Sequence, residues 1–148
     1  MSKPSNTCNS IYHDLVIKAT ISKVFDAVSE PECLINWWPK TCKGIPKENE
    51  IYNFFFTSEY DWYGKVINYK KDSSFYIKML KSDADWNPTS FGFDLLQENN
   101  KVKVQFWHTG WLECNAHFRT TSFCWAMLLN GLKNYVEKDI VIPFEKRG

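Results

Sequence analysis

The sequence predicts an α+β fold in which a curved antiparallel β-sheet wraps around a long C-terminal α-helix. Three observations point there. Period-two patterning fills the region from about residue 50 to residue 108, and no helix-like stretch separates its runs. One long segment with three- and four-residue apolar spacing follows it. Two short helix-like segments sit directly after the first strand, too short to cover a sheet. The last helix therefore has to cover the apolar face of the sheet, which is a helix-grip arrangement.

The elements follow in order. Residues 1–10 are polar and read as a flexible tail. In "IYHDLVIKA", His13, Leu15, Ile17 and Ala19 alternate with Tyr12, Asp14 and Lys18, a first strand interrupted by Val16. Thr20 suits the N-cap of a helix through "ISKVFDAV", where Val24, Phe25 and Val28 share a face. Pro31 fits the first turn of a second helix, "PECLINWW", and Pro39 helps end it. Five strand-like runs come next: "IYNFFF", "DWYGKVINYK", "SFYIKML", "SFGFDLLQ" and "KVKVQFWH". Short polar turns divide them, and "QENNK" predicts a tight hairpin between the last two. The closing helix is expected over about residues 121–138, capped by Thr120 or Thr121, with Trp125, Leu128, Leu129, Leu132, Val136 and Ile140 on one face. Gly131 in its middle suggests close approach of another element. The single domain spans residues 11–142, and residues 143–148 read as a C-terminal tail.

Composition narrows the function classes. A chain of 148 residues builds one core without staples. Eighteen Lys and Arg against seventeen Asp and Glu give no basic surface for nucleic acid. No apolar run is long enough to span a bilayer, and "MSKPSNTCNS" lacks the apolar core of a signal peptide. Five cysteines without a CxxC pair predict a reduced, cytoplasmic protein whose thiols fill space. Seven Trp, seven Tyr and eleven Phe are the unusual feature, and rings serve equally as bulky core or as pocket lining.

Strand parity places these rings. In "KVKVQFWH", Lys103, Gln105 and Trp107 mark the outer face, so Phe106 and His108 point inward with Val102 and Val104. The same rule turns Trp62, Gly64 and Val66 inward, then Phe75, Ile77 and Met79, and Phe91, Phe93 and Leu95, with Phe54 and Phe56 as neighbours. Trp37 and Trp38, at the end of the second helix, suit a rim or lid. A ligand pocket would thus use Trp37, Trp38, Phe54, Phe56, Trp62, Phe75, Ile77, Phe91, Phe93, Phe106, His108, Trp125 and Leu129. His108 is its best polar anchor, with His13 second. A core histidine satisfied by a carbonyl or a tyrosine is the open alternative. The opposite parity leaves Tyr63, Tyr69, Tyr76 and Trp107 facing outward, either as cross-strand packing or as an interaction surface.

Other chemistry finds weaker support. "FWHTGWLECNAHF" gathers His108, Cys114 and His117 with Glu113, but zinc normally takes four ligands from paired motifs, and His108 faces inward while residues 113–117 lie in a connection. No metal and no cofactor is expected. A nucleophile at Cys114 or Cys124 has no feature that lowers its thiol pKa beyond the dipole near a helix start. Asp83 and Asp85 in "SDADWNPTS" lack the rest of a calcium loop and read as a capped turn.

Three segments carry a family resemblance. "VFDAVSEPECLINWW" resembles the signature of the activator of heat-shock-protein-90 ATPase homologue family, with its paired aromatics after a proline. "VKVQFWHTGW" resembles that family's strand ending in H-x-G-W, and "CWAMLLNGLKNYVE" its closing helix. The resemblance runs from about Ile11 to Glu137. It implies the START-like (SRPBCC) superfamily, with a cavity between sheet and helix, but no single activity, because the superfamily holds enzymes and carriers. Binding of an apolar or aromatic small molecule is therefore the first expectation. A protein-interaction module comes second, as a homodimer or a co-chaperone-like partner of a chaperone. The family's eukaryotic co-chaperones carry a further N-terminal domain, whereas this chain is expected to start at the grip itself. A cyclase- or hydratase-type enzyme comes third, with His108 as the weak candidate for general acid/base.

Overall fold

The structure is a computed structural model and describes residues 9–147, so most of the expected N-terminal tail, with Cys8, lies outside the described residues. Strand β1 (Asn9–Ile17) leads to α1 (Ile21–Ser29) and α2 (Pro31–Leu34). Strands β2 (Thr41–Lys43), β3 (Ile51–Thr57), β4 (Tyr60–Lys70), β5 (Ser74–Lys81), β6 (Ser90–Glu98) and β7 (Lys101–Trp111) follow, then helix α3 (Ala116–Lys138). All seven strands form one antiparallel sheet in the order β1-β7-β6-β5-β4-β3-β2. The chain returns its first strand to the far edge beside β7 and then runs as a meander. This is the α+β helix grip.

Local chemistry sets the ends of the elements. The Thr20 side chain accepts from Lys23 N and caps α1 as expected. Pro31 occupies the first turn of α2, but the helix proper closes at Leu34 and the two tryptophans follow in turns. Asn99, at φ 58°, forms the β6–β7 hairpin turn, a conformation asparagine tolerates. β2 escapes the sequence pattern because three residues show no periodicity, yet Thr41, Cys42 and Lys43 pair with Phe55, Phe54 and Asn53. α3 starts five residues before the expected 121, because Asn115 caps it by accepting from Phe118 N at 2.9 Å. At 23 residues it is about 35 Å long. It ends in a left-handed Asp139, so Ile140 lies beyond the helix and is exposed.

The inner face of the sheet and α3 enclose the core. Val102, Val104, Phe106 and His108 are all buried, as are Phe75, Ile77, Met79, Phe91, Phe93 and Leu95. Thr121, Trp125, Leu129, Leu132 and Val136 form the buried stripe of α3. Tyr52 of β3 donates to Ser29 O at 2.6 Å and pins the α1–α2 corner to the sheet, while the Trp37 indole donates to Ala27 O at 2.9 Å and braces the corner itself. Trp37 is thus a fixed core ring rather than a lid.

Three expectations need correction. Tyr69 does not face outward: the register slips between Val66 and Asn68, leaving Ile67 as the extra, exposed residue and turning Tyr69 inward opposite Phe75 and against Phe25. Gly131 is not required by any neighbour, since a Cβ built there meets nothing within 4 Å. The segment read as a C-terminal tail folds back through a 3₁₀ turn at Phe144–Lys146, and the Arg147 guanidinium donates to Ile142 O at 2.7 Å and Ile35 O at 2.8 Å.

Candidate functional site

Helical spacing puts His117, Thr120, Thr121, Cys124, Trp125 and Leu128 on one face of α3. Opposite stand Phe56 from β3, Tyr60 and Trp62 from β4, Trp38 from the turn after α2, and Asp83 and Trp86 from the β5–β6 connection. Together these residues line a cleft of about 690 Å³ that opens at one end of the grip. That volume lies within the range of small-molecule sites. Two smaller hollows flank the helix, one of about 170 Å³ beside Trp37 and Arg147, the other of about 190 Å³ beside His13.

Six of the twelve lining residues are aromatic, and they support one another. The Trp38 ring packs on Trp125 at 4.9 Å and on Phe56 at 5.8 Å. Trp86 lies 4.7 Å from Trp62 and stacks on Trp125 at 6.1 Å with 27° between planes. Trp86 comes from a polar connection, yet it is only 6% exposed. Asp83 Oδ1 accepts from Trp86 N at 2.9 Å and the Thr89 hydroxyl donates to Trp86 O at 2.7 Å, so the capped turn expected at "SDADW" delivers this ring inward.

His108 lies beneath the cleft, fully buried. Its Nδ1 accepts from the Trp125 indole at 3.0 Å, and its Nε2 bonds Thr89 Oγ1 at 2.8 Å. Because the Thr89 hydroxyl already donates to Trp86 O, its oxygen is the acceptor, which assigns the proton to Nε2. Desolvation first, and the neighbouring charge of His117 second, lower the imidazole to about 3. The ring is neutral, and both its nitrogens are occupied. Neither serves a cysteine thiol.

The mouth of the cleft is polar. His117, in the first turn of α3, bonds Asp85 Oδ2 through Nδ1 at 2.9 Å, and its Nε2 lies 3.8 Å from Asp83 Oδ2. Residues 116 and 117 therefore belong to the helix, not to a connection. Among the described residues, no group of three or more His, Cys, Asp or Glu is arranged to hold a metal ion. Cys124 lines the cleft from the third turn of α3, remote from the dipole at the helix start. Burial pushes the Cys42 thiol up to about 12.

The residues expected to line a pocket divide into two groups. Trp38, Phe56, Trp62 and Trp125 border the cleft. Phe54, Phe75, Ile77, Phe91, Phe93, Phe106 and His108 lie in the core, while Trp37 borders the hollow beside Arg147 and Leu129 the one beside His13. His13 is elsewhere, bonded to Ser122 O at 3.1 Å. Parity reasoning missed Tyr60, at the very start of β4, and Asp83, Trp86, His117, Thr120, Thr121, Cys124 and Leu128, which come from a connection or from the helix. The one available signal was a tryptophan inside a polar turn.

The outer face carries a second ring cluster. Tyr76 and Trp107 meet edge to face at 4.8 Å across Gly92, and both bond Asp94, at 2.5 Å and 3.2 Å. Tyr12, paired with Trp107 from β1, is 69% exposed.

The fold recurs in known proteins. The dimer of Aha1 from Colwellia psychrerythraea, solved in solution, matches with a TM-score of 0.80 at 24% identity, over 88% of this chain and 97% of that one. A protein of unknown function, EF2215 from Enterococcus faecalis, matches at 0.74 and 18% identity, over 96% and 81% of the two chains. CalU16 from Micromonospora echinospora matches at 0.74 and 15%, over 94% and 83%. At such identities the likeness is one of fold. No curated protein matches the sequence. The family model described as "Activator of Hsp90 ATPase homolog 1-like protein" matches residues 18–137, most of the grip, and the chain belongs to that family.

Proposed function

We propose that the protein binds an apolar or aromatic small molecule in the cleft between α3, Trp38 and the β3–β4 end of the sheet. The observation that carries this reading is the aromatic lining: Trp38, Phe56, Tyr60, Trp62, Trp86 and Trp125 border one cavity of about 690 Å³. A carrier role is favoured over catalysis because His108, the one histidine expected to act as acid or base, has both nitrogens bonded within the protein. Titration with N-phenyl-1-naphthylamine, an uncharged fluorescent probe, tests it. Saturable one-to-one binding is expected, abolished in Cys124→Trp, whose ring fills the cleft. Binding unchanged in that folded variant would remove the cleft from consideration.

A second reading is an interaction module, as a homodimer or as a partner of a chaperone. It is supported by the exposed Tyr12 beside Trp107, by Phe123 and Met127 exposed one turn apart on α3, and by a structural neighbour described as a dimer. Sedimentation equilibrium tests the dimer. A monomer at all concentrations counts against it.

A further inference from the structure

The lining of the cleft is unequal in charge. Among the described residues, no Lys or Arg borders it, while Asp83 does. The groups around that carboxylate are few. Asp83 Oδ1 accepts from the backbone N of Trp86, and His117 is shared between Asp83 and Asp85, with Asp85 the closer at 2.9 Å. The two carboxylates also meet the positive end of α3, where Asn115 Nδ2 lies 3.5 Å from Asp85. Even with His117 protonated, two carboxylates outnumber one imidazolium. An anionic ligand entering here would thus meet a mouth of net negative charge with no lysine or arginine in the lining to receive it. A cation would meet both a carboxylate and ring faces, which attract positive charge, with tryptophan the strongest.

Shape adds the second constraint. Trp86 tilts against Trp62 at 4.7 Å and stacks on Trp125 at 6.1 Å, so the three rings form a continuous wall suited to a flat aromatic body. Thr120, beside His117 on the same helix face, supplies a hydroxyl at that edge. Resting on the cleft reading above, we propose that its ligand is a planar aromatic amine, with the rings against the tryptophans and the ammonium toward Asp83.

Calorimetric titration at neutral pH with three probes of one ring system tests this: 1-naphthylmethylamine, 1-naphthalenemethanol and 1-naphthaleneacetate. The amine is expected to bind about 3- to 10-fold more tightly than the alcohol, and the acetate more weakly than either. High salt should reduce the spread. Asp83→Asn retains the side-chain carbonyl that accepts from Trp86 N, so the turn persists. In that variant the ratio of amine to alcohol affinity should fall to about 1. Acetate binding as tightly as the amine, or a preference that survives Asp83→Asn, overturns the charge assignment while leaving the cleft reading intact. Failure of all three probes to bind overturns the cleft reading and this inference with it.

Discussion

The Trp125 indole donates to Nδ1 of His108 across 3.0 Å, a buried bond that joins α3 to β7. It explains why an imidazole occupies a position that parity assigns to the core. His108→Phe keeps the volume but leaves the indole N–H without an acceptor, and should destabilise the fold by about 1–3 kcal/mol. Trp125→Ala removes the bond together with the ring, and should cost about 3–5 kcal/mol. Urea unfolding measures both. An unchanged midpoint in His108→Phe would show that the bond contributes nothing.

The same burial predicts an acid dependence. His108 is held at about 3 in the folded protein, whereas an unfolded histidine titrates near 6.5, at about its ordinary value. The folded value is depressed, so at acid pH the unfolded chain binds the extra proton. Stability from this group is complete above about pH 6.5 and falls as pH drops toward 3. Between pH 7 and pH 5 the loss is about 2 kcal/mol. In His108→Gln that component of the slope should vanish. Parallel pH profiles for the two proteins would contradict the assignment.

On the outer face, Gly92 leaves room for rings. A Cβ there would lie 2.5 Å from the Trp107 ring and 2.6 Å from the Tyr76 ring. Gly92→Ala must push the rings apart and strain their shared bonds to Asp94, which should cost about 1–3 kcal/mol despite alanine's entropic advantage. Near-ultraviolet circular dichroism should change along with the melting temperature. Wild-type behaviour in both would mean that the rings yield freely.

Gly131 makes the opposite case. It sits in the middle of α3 with open space around its missing side chain. Gly131→Ala should stabilise the protein by about 0.5–1 kcal/mol through helix propensity alone. Thermal unfolding measures the gain, and a loss would reveal a contact that this conformation lacks.

Where the sequence was legible, a repeating physical signal made it so. Alternation sorted Val102, Val104, Phe106 and His108 from Lys103 and Gln105 because successive strand side chains must point to opposite faces. The Thr20 cap and Pro31 were readable because each offers a local backbone solution within a few residues. The signal failed where a single residue breaks the period. One bulge at Ile67 reversed Tyr69, and nothing in "KVINYK" marks it.

The sequence by itself determined the α+β grip, the order of its elements and most of the inner rings, because periodicity and capping act between near neighbours. Only the tertiary structure decided which rings fill the core and which border an opening. Phe91 and Trp62 obey the same parity, yet Phe91 is buried beneath Trp38 while Trp62 edges the cleft. Tertiary packing also brought Trp86, Asp83 and His117 together from a turn and a helix more than 30 residues apart. Such meetings depend on how the chain closes in space, and no local pattern encodes that distance.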